Sequence, residues 1–263
     1  MTVEQAIALG ALQGATEFLP VSSSGHLAIA QSLIDGFSQP GVLFDVLLHL
    51  GTMIAVLIYF WSDIKDIATS PFRKDDDAGL HRKMLLLLIA GSVPTAIIGL
   101  TGKDFATGLF HNIPVVAAML IVTGCILYVS ERFRSRGRVN RELGFTEALI
   151  AGAAQGLAII PGISRAGITI ASLLLRGVDG EKAARFSFLL SMPAIFGATL
   201  LSLRDLQEVS TDELTLYAAG AGIALLTGLL SIHFLLAIIR RRRLFYFAIY
   251  CWAVGALFLT LTL

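Results

Sequence analysis

Most of this chain is apolar in runs approaching membrane thickness. Two of those runs are broken near their middle by polar turns that resemble each other, Pro20-Val-Ser-Ser-Ser-Gly-His26 and Pro161-Gly-Ile-Ser-Arg-Ala-Gly167. In hydrocarbon every backbone N–H and C=O must be bonded internally, so unwound backbone survives only where protein or a polar cavity surrounds it. Each turn follows a short helix-like run with a glutamine near its middle, Gln13 or Gln155, and precedes a second run too short to span. Glu17, His26 and Arg165 therefore fall where an ionisable group costs roughly 2.5–3.5 kcal/mol on insertion scales, the usual mark of a functional cavity.

Of the 263 residues, 56% are hydrophobic and only 15% charged. Soluble domains carry about 25% charged residues, so the composition excludes a soluble globular enzyme and fits a polytopic membrane protein. The net charge of +1 says nothing about partners, and no nucleic-acid partner is expected. No Lys or Arg precedes Lys65, so the first segment lacks the basic region of a cleavable signal peptide and reads as part of the mature fold. Cys125 and Cys251 show neither metal-ligand spacing nor a disulfide framework and read as packing residues.

A spanning helix needs about 20 apolar residues. Six segments qualify: Val42 to Phe60, Met84 to Leu100, Ile113 to Ser130, Ala183 to Leu203, Leu214 to Ile239 and Leu244 to Leu263. The broken regions, Val3 to Gly36 and Phe145 to Arg176, read as helix–loop–helix with halves of about 10 to 15 residues, a length suited to re-entrant hairpins. Cytoplasmic loops collect Lys and Arg. Here Lys65, Arg73, Lys74, Arg82 and Lys83, then Arg132, Arg134, Arg136, Arg138 and Arg141, then Arg176, Lys182 and Arg185, and finally Arg240 to Arg243 place 17 of 20 basic residues on one side. Lys103 and Arg204 fall opposite, and Arg165 alone lies within the membrane. The count is consistent only if both hairpins re-enter, the first from outside and the second from the cytoplasm.

Three spans separate the hairpins, so the halves 1–130 and 145–263 take opposite orientations within a single membrane domain, 1–263. The expected fold is all-α: six transmembrane helices plus two re-entrant hairpins in an inverted-topology repeat. Hairpin tips in such folds meet near the midplane. That brings Glu17, Ser22, Ser23, Ser24, Gly25 and His26 to Gly162, Ser164, Arg165 and Thr169.

A helix N-terminus presents unpaired N–H groups and partial positive charge, and Ser22 to Ser24 or Gly162 and Ser164 at the start of a helix add to that anion site. Arg165 adds a planar fork that grips two phosphate oxygens. Two such termini and one guanidinium describe a receptor for a diphosphate or a similar anion. Gln13 and Glu17, at i and i+4, share a helix face. The carboxylate could ligate Mg²⁺ or Ca²⁺ across phosphate oxygens, or orient a histidine. His26 is a candidate acid, base or nucleophile, and Ser23 is the competing nucleophile. The residues leave those mechanisms open.

The run from Gln13 to His26, together with Pro161-Gly-Ile-Ser-Arg-Ala-Gly-Ile-Thr169, Phe44-Asp-Val, Leu50-Gly-Thr-Met-Ile-Ala-Val and Phe186-Ser-Phe-Leu-Leu-Ser-Met-Pro193, resembles the bacterial undecaprenyl-diphosphate phosphatases, the bacitracin-resistance proteins. The resemblance covers almost the whole chain. It implies an enzyme of the bacterial cell (inner) membrane, open to the outer face, which removes the terminal phosphate of a C55 polyprenyl diphosphate and recycles the lipid carrier of cell-wall synthesis. Carried over by motif, Glu17, Ser23, His26 and Arg165 are catalytic, with Glu17 also the metal position. Gln13, Ser22, Ser24, Gly25, Gly162, Ser164 and Thr169 bind substrate. Ala166 stands where the family usually has serine, and Gln13 leaves Glu17 as the sole carboxylate near a Mg²⁺ or Ca²⁺ ion. The expected partners are the polyprenyl diphosphate and membrane lipids, with a homodimer left open.

The competing reading is a polyprenyl-phosphate flippase or transporter using the same midplane pocket. Asp45 and His49, another i, i+4 pair, read as structural or as support for the site and stay outside the catalytic set. The arginine clusters read as topology determinants.

Overall fold

The computed structural model describes every residue except 38, 40–41, 76, 134–140, 203–208, 242 and 263. Arg134, Arg136, Arg138, Arg204 and Arg242 of the charge count lie outside the described residues, as do Leu203 and Leu263 at the ends of expected spans. Among the described residues the architecture is helical, with one isolated bridge between Arg141 and Val178. The helices are α1 (Val3–Glu17), α2 (Ser23–Ser32), α3 (Leu43–Tyr59), α4 (Trp61–Thr69), α5 (Ala78–Leu109), α6 (Ile113–Phe133), α7 (Phe145–Leu157), α8 (Arg165–Leu175), α9 (Gly180–Ser202), α10 (Thr211–Arg240) and α11 (Phe245–Thr262).

Five of these, α5, α6, α9, α10 and α11, are long and apolar enough to cross a membrane. The segment expected as the first span is α3, and the chain bends by 80° where α3 gives way to α4; the bent pair makes a sixth candidate. The outer face of α5 shows what surrounds it: Leu86, Ile89, Val93, Ile97 and Leu100 are all exposed. So regular an apolar stripe belongs against lipid.

Helices overrun the expected spans. Arg82, Lys83 and Lys103, expected in loops, lie within α5, while Lys182 and Arg185 lie in the first turns of α9. Lys and Arg are good helix formers, so nothing ends the helix where the hydrocarbon ends. Arg132 and Arg240 sit in the last turns of α6 and α10, where cations complement the helix dipole. Ion pairs then tie helix ends together: Arg185 with Asp63 at 2.8 Å, Arg240 with Glu181 at 3.0 Å, Lys83 with Glu142 at 3.1 Å. Buried Glu147 accepts from Arg141 and Arg176, each at 3.0 Å.

Small residues let the broken helices pack tightly. α1 lies against α10, and a Cβ built on Gly10 would meet the Gly220 carbonyl oxygen at 2.2 Å. α7 lies against α5, and a Cβ on Gly152 would meet the Gly91 carbonyl oxygen at 1.9 Å. Neither site admits a side chain. These contacts fix the depth at which α1 and α7 end, and so where the two turns sit.

Candidate active site

α1 ends at Glu17 because Pro20 follows, and proline forces the preceding backbone out of the helical region. Ser22 then adopts φ 67°, the one left-handed non-glycine among the described residues. From there its Oγ accepts a hydrogen bond from Gly25 N at 3.3 Å and caps α2. The second turn is built alike. Gly162 supplies the left-handed residue, φ 95°, and Ser164 Oγ accepts from Gly167 N at 3.0 Å to cap α8. Thr123 of α6 fastens this turn, its hydroxyl donating to Gly162 O at 2.8 Å and accepting from Ser164 N at 3.0 Å.

The two turns touch. A Cβ on Gly25 would stand 3.1 Å from Gly162 Cα, and one on Gly167 would stand 3.4 Å from Pro20 Cβ. Residues 148 positions apart therefore pair: Arg165 Nη2 donates to Glu17 Oε1. On the other carboxylate oxygen, Ser23 Oγ donates at 2.5 Å and Gln13 Nε2 at 2.8 Å. His49 Nδ1 lies 3.1 Å from that same oxygen and 2.8 Å from Gln13 Nε2. The Glu17 side chain is only 2% exposed, so these donors are what make a buried carboxylate tenable. Arg165 keeps 19% of its side-chain surface accessible and is the open side of the pair.

His26 stands beside this cluster with partners of its own. Its Nδ1 lies 2.8 Å from Ser22 O, and its Nε2 lies 2.8 Å from the Tyr250 hydroxyl. Ser24 Oγ is 3.3 Å from Ser22 Oγ at the same helix start. Thr169 is fully buried, donates to Arg165 O at 2.8 Å, and has its hydroxyl 2.5 Å from Ser187 Oγ. Ala166 is buried beside the cap.

The sequence places His49 outside the catalytic set, yet in the structure it touches the central carboxylate. The signal was there: His49 follows Asp45 by one helical turn inside an apolar run. Asp45 is engaged elsewhere, accepting from Gln31 at 2.6 Å and Gln39 at 3.0 Å, which ties α2 to the start of α3. Tyr250 carried no signal; a tyrosine in an apolar C-terminal helix reads as packing.

Among the described residues no group of three or more His, Cys, Asp or Glu is arranged to hold a metal. Two buried amide oxygens lack a hydrogen-bond partner, Gln155 Oε1 away from the cluster and Gln13 Oε1 within it, on the residue whose nitrogen already binds Glu17.

Fold and cluster together define a multi-pass helical membrane protein with an acid, a guanidinium, a hydroxyl and imidazoles gathered where two broken helices meet. The chain belongs to the bacitracin resistance protein BacA family, whose model matches residues 6–257. It is 57% identical over 262 residues to an undecaprenyl-diphosphatase of Syntrophotalea carbinolica, covering 100% of both chains. It is 45% identical over 263 residues to the undecaprenyl-diphosphatase of Halothermothrix orenii, covering 99% of this chain and 98% of the other. With the undecaprenyl-diphosphatase of Desulforapulum autotrophicum it shares 42% over 267 residues, covering 97% and 96%.

Proposed function

We propose that this protein hydrolyses undecaprenyl diphosphate to the monophosphate and inorganic phosphate. The observation that carries the reading is the contact of Ser23 Oγ and Arg165 with the two oxygens of Glu17, at the start of two helices. A carrier needs cations and N–H groups for its anion; a serine hydroxyl aimed at a buried carboxylate serves bond-breaking.

The diphosphate enters between the first N–H groups of α2 and α8, which have no intrahelical acceptor. It competes with Glu17 for Arg165, and the guanidinium moves its fork to the phosphate. Glu17, released from the ion pair, takes the Ser23 proton as Oγ attacks the terminal phosphorus. The bridging P–O bond breaks, its electron pair leaves with the polyprenyl monophosphate, and Arg165 balances the charge on the transferred group. Water then attacks the phosphoserine, its proton taken by His26, while Glu17 returns a proton to Ser23 and phosphate departs. An apolar groove between α3 and α10, lined by Leu47, Leu50, Ile54, Ala218 and Leu225, runs along the helix that carries His49; we assign the tail to it.

The oxygens present fit a hard divalent cation, Mg²⁺ or Ca²⁺: Glu17 would hold it with Gln13 Oε1, and phosphate oxygens would complete its shell. Such an ion supplies further neutralisation of phosphate charge.

We read the topology as an inverted repeat of the halves 1–130 and 145–263, each with one re-entrant hairpin, Val3 to Gly36 and Phe145 to Arg176. Mirrored contacts support it: Gly10 on Gly220 is matched by Gly152 on Gly91, and Gly25 on Gly162 by Gly167 on Pro20. Between α6 and α11, Gly124 meets Ala248 O and Trp252 while Gly255 meets Ala117 O and Ile121. The basic side is then cytoplasmic, and the site opens outward in the bacterial inner membrane. The test is phosphate release from undecaprenyl or farnesyl diphosphate by the purified protein in detergent, with and without Mg²⁺ or Ca²⁺. Wild-type silence beside tight binding would move the reading to a carrier.

A further inference from the structure

Both nitrogens of His26 are spoken for, and the second partner comes from the far end of the chain. Ser22 O, 2.8 Å from Nδ1, is a carbonyl and can only accept, so Nδ1 carries the proton. In the neutral ring Nε2 is then a bare acceptor, and the Tyr250 hydroxyl at 2.8 Å donates to it. The two rings lie nearly parallel, 7° between planes and 5.6 Å between centroids.

Tyr250 is 43% exposed, so its place is set by its helix and by the hydroxyl it gives to His26. Gly124 and Gly255 lock α11 against α6, and the neighbouring Cys251 thiol reaches Pro20 O in the first turn at 3.7 Å. The matching place on α6 behaves differently: Met119 packs its Cβ against Gly162 of the second turn, where a Cβ on that glycine would come within 2.6 Å. Contact between a long helix and a turn thus occurs on both sides, but the Thr123 hydroxyl of α6 binds only backbone of the second turn, whereas the Tyr250 hydroxyl of α11 binds a side chain, the imidazole of His26.

We propose that Tyr250 is a positioning residue for the phosphatase reaction: its hydroxyl holds the His26 imidazole in one ring orientation and one tautomer, Nδ1 protonated, and yields the Nε2 lone pair to the attacking water, whose proton Nε2 then takes. The inference rests on His26 acting in the reaction. Without the hydroxyl the ring is held at one nitrogen only, and the share of correctly presented imidazole falls. Substrate binding, which depends on Arg165 and the helix starts, is untouched.

The experiment compares wild type, Tyr250→Phe, Tyr250→Leu and His26→Ala as full-length proteins in detergent, with farnesyl diphosphate as substrate and folding checked by elution volume and thermal midpoint. Tyr250→Phe keeps the stack and loses only the donor; kcat should fall about three- to tenfold, the worth of one neutral hydrogen bond, with KM within about twofold. In ¹⁵N-histidine spectra, with His26 assigned by its loss in His26→Ala, the Nε2 resonance should move toward that of a nitrogen accepting no bond. Tyr250→Leu should lower kcat further. Unchanged kcat in Tyr250→Phe, a loss confined to KM, or an unmoved Nε2 resonance would each overturn the proposal. Full activity in His26→Ala would overturn it too, by removing the histidine from the reaction, whereas an inactive His26→Ala beside an unaffected Tyr250→Phe sinks the tyrosine alone.

Discussion

The two turns are alike in construction and unlike in chemistry. Each follows a helix bearing a buried glutamine, each holds one residue in the left-handed region, and each caps its next helix with a serine that binds the glycine three residues on. Yet the first carries Glu17, Ser23 and His26, with His49 close by, whereas the second contributes Arg165 and otherwise apolar or self-satisfied groups. Gln13 spends its nitrogen on Glu17 and His49; Gln155 spends its own on Thr95 Oγ1 at 3.2 Å and Leu190 O at 3.1 Å. In the proposed reaction a pair of like scaffolds offers two helix starts to one anion. Breaking a bond in that anion needs asymmetry, a base on one side and a cation on the other.

That division is broken most directly at its two charges. Arg165→Ala should lower kcat/KM by about 10³- to 10⁵-fold, the range for an arginine that stabilises phosphoryl transfer. Arg165→Lys should restore only part of it, because a point charge replaces a fork. Activity within tenfold of wild type in Arg165→Ala would show that the second turn is scaffold alone. Glu17→Gln should cost about 10²- to 10⁴-fold in kcat as a lost general base. The same change should tighten binding of a non-hydrolysable isoprenyl diphosphate by up to about tenfold, since the neutral amide holds Arg165 less firmly. Weaker binding by Glu17→Gln, measured by titration calorimetry, would mean that the ion pair does not compete with substrate.

Much of this is legible in the amino-acid sequence alone. Apolar runs of membrane length, the prolines that stop α1 and α7, and the serines that start α2 and α8 are local signals, written within a few residues of where they act. The pairing of Glu17 with Arg165 is legible only indirectly, through a charge count that leads one to expect two hairpins entering from opposite sides. His49 is legible in part, as one of the i, i+4 pair that reads as structural or as support for the site, whereas Tyr250 is not, because its partner lies 224 positions away along the chain. Helix ends misled for a physical reason: lysine and arginine favour helix, so α5 and α9 run on past the point where apolar sequence stops.

The mirrored glutamines sharpen the contrast at a smaller scale. Gln13→Ala should lower kcat by about tenfold, removing one charge-assisted donor from Glu17, with little change in thermal midpoint. Gln155→Ala should do the reverse: it leaves Leu190 O without that donor, so the midpoint falls while activity per folded molecule stays at wild type. Turnover and thermal unfolding measured on both variants would decide it. Equal losses of turnover would make the second glutamine part of the site.

The smallest effect separates the two caps. At Ser22 the left-handed backbone strains any residue with a Cβ by roughly 1–2 kcal/mol, while at Ser164, φ −73°, there is no such strain. Replacing a capping serine by glycine costs only a few tenths of a kcal/mol. For Ser22→Gly the relief of strain offsets both the lost cap and the roughly 0.5–1 kcal/mol of unfolded-chain entropy that any glycine adds, so the thermal midpoint should hold. For Ser164→Gly no strain is relieved and glycine adds chain entropy to the unfolded state, so the midpoint should fall by the equivalent of about 0.5–1 kcal/mol. A fall in Ser22→Gly as large as in Ser164→Gly would mean that the left-handed serine is sustained by contacts beyond its cap, and that the first turn stores no strain for the reaction to use.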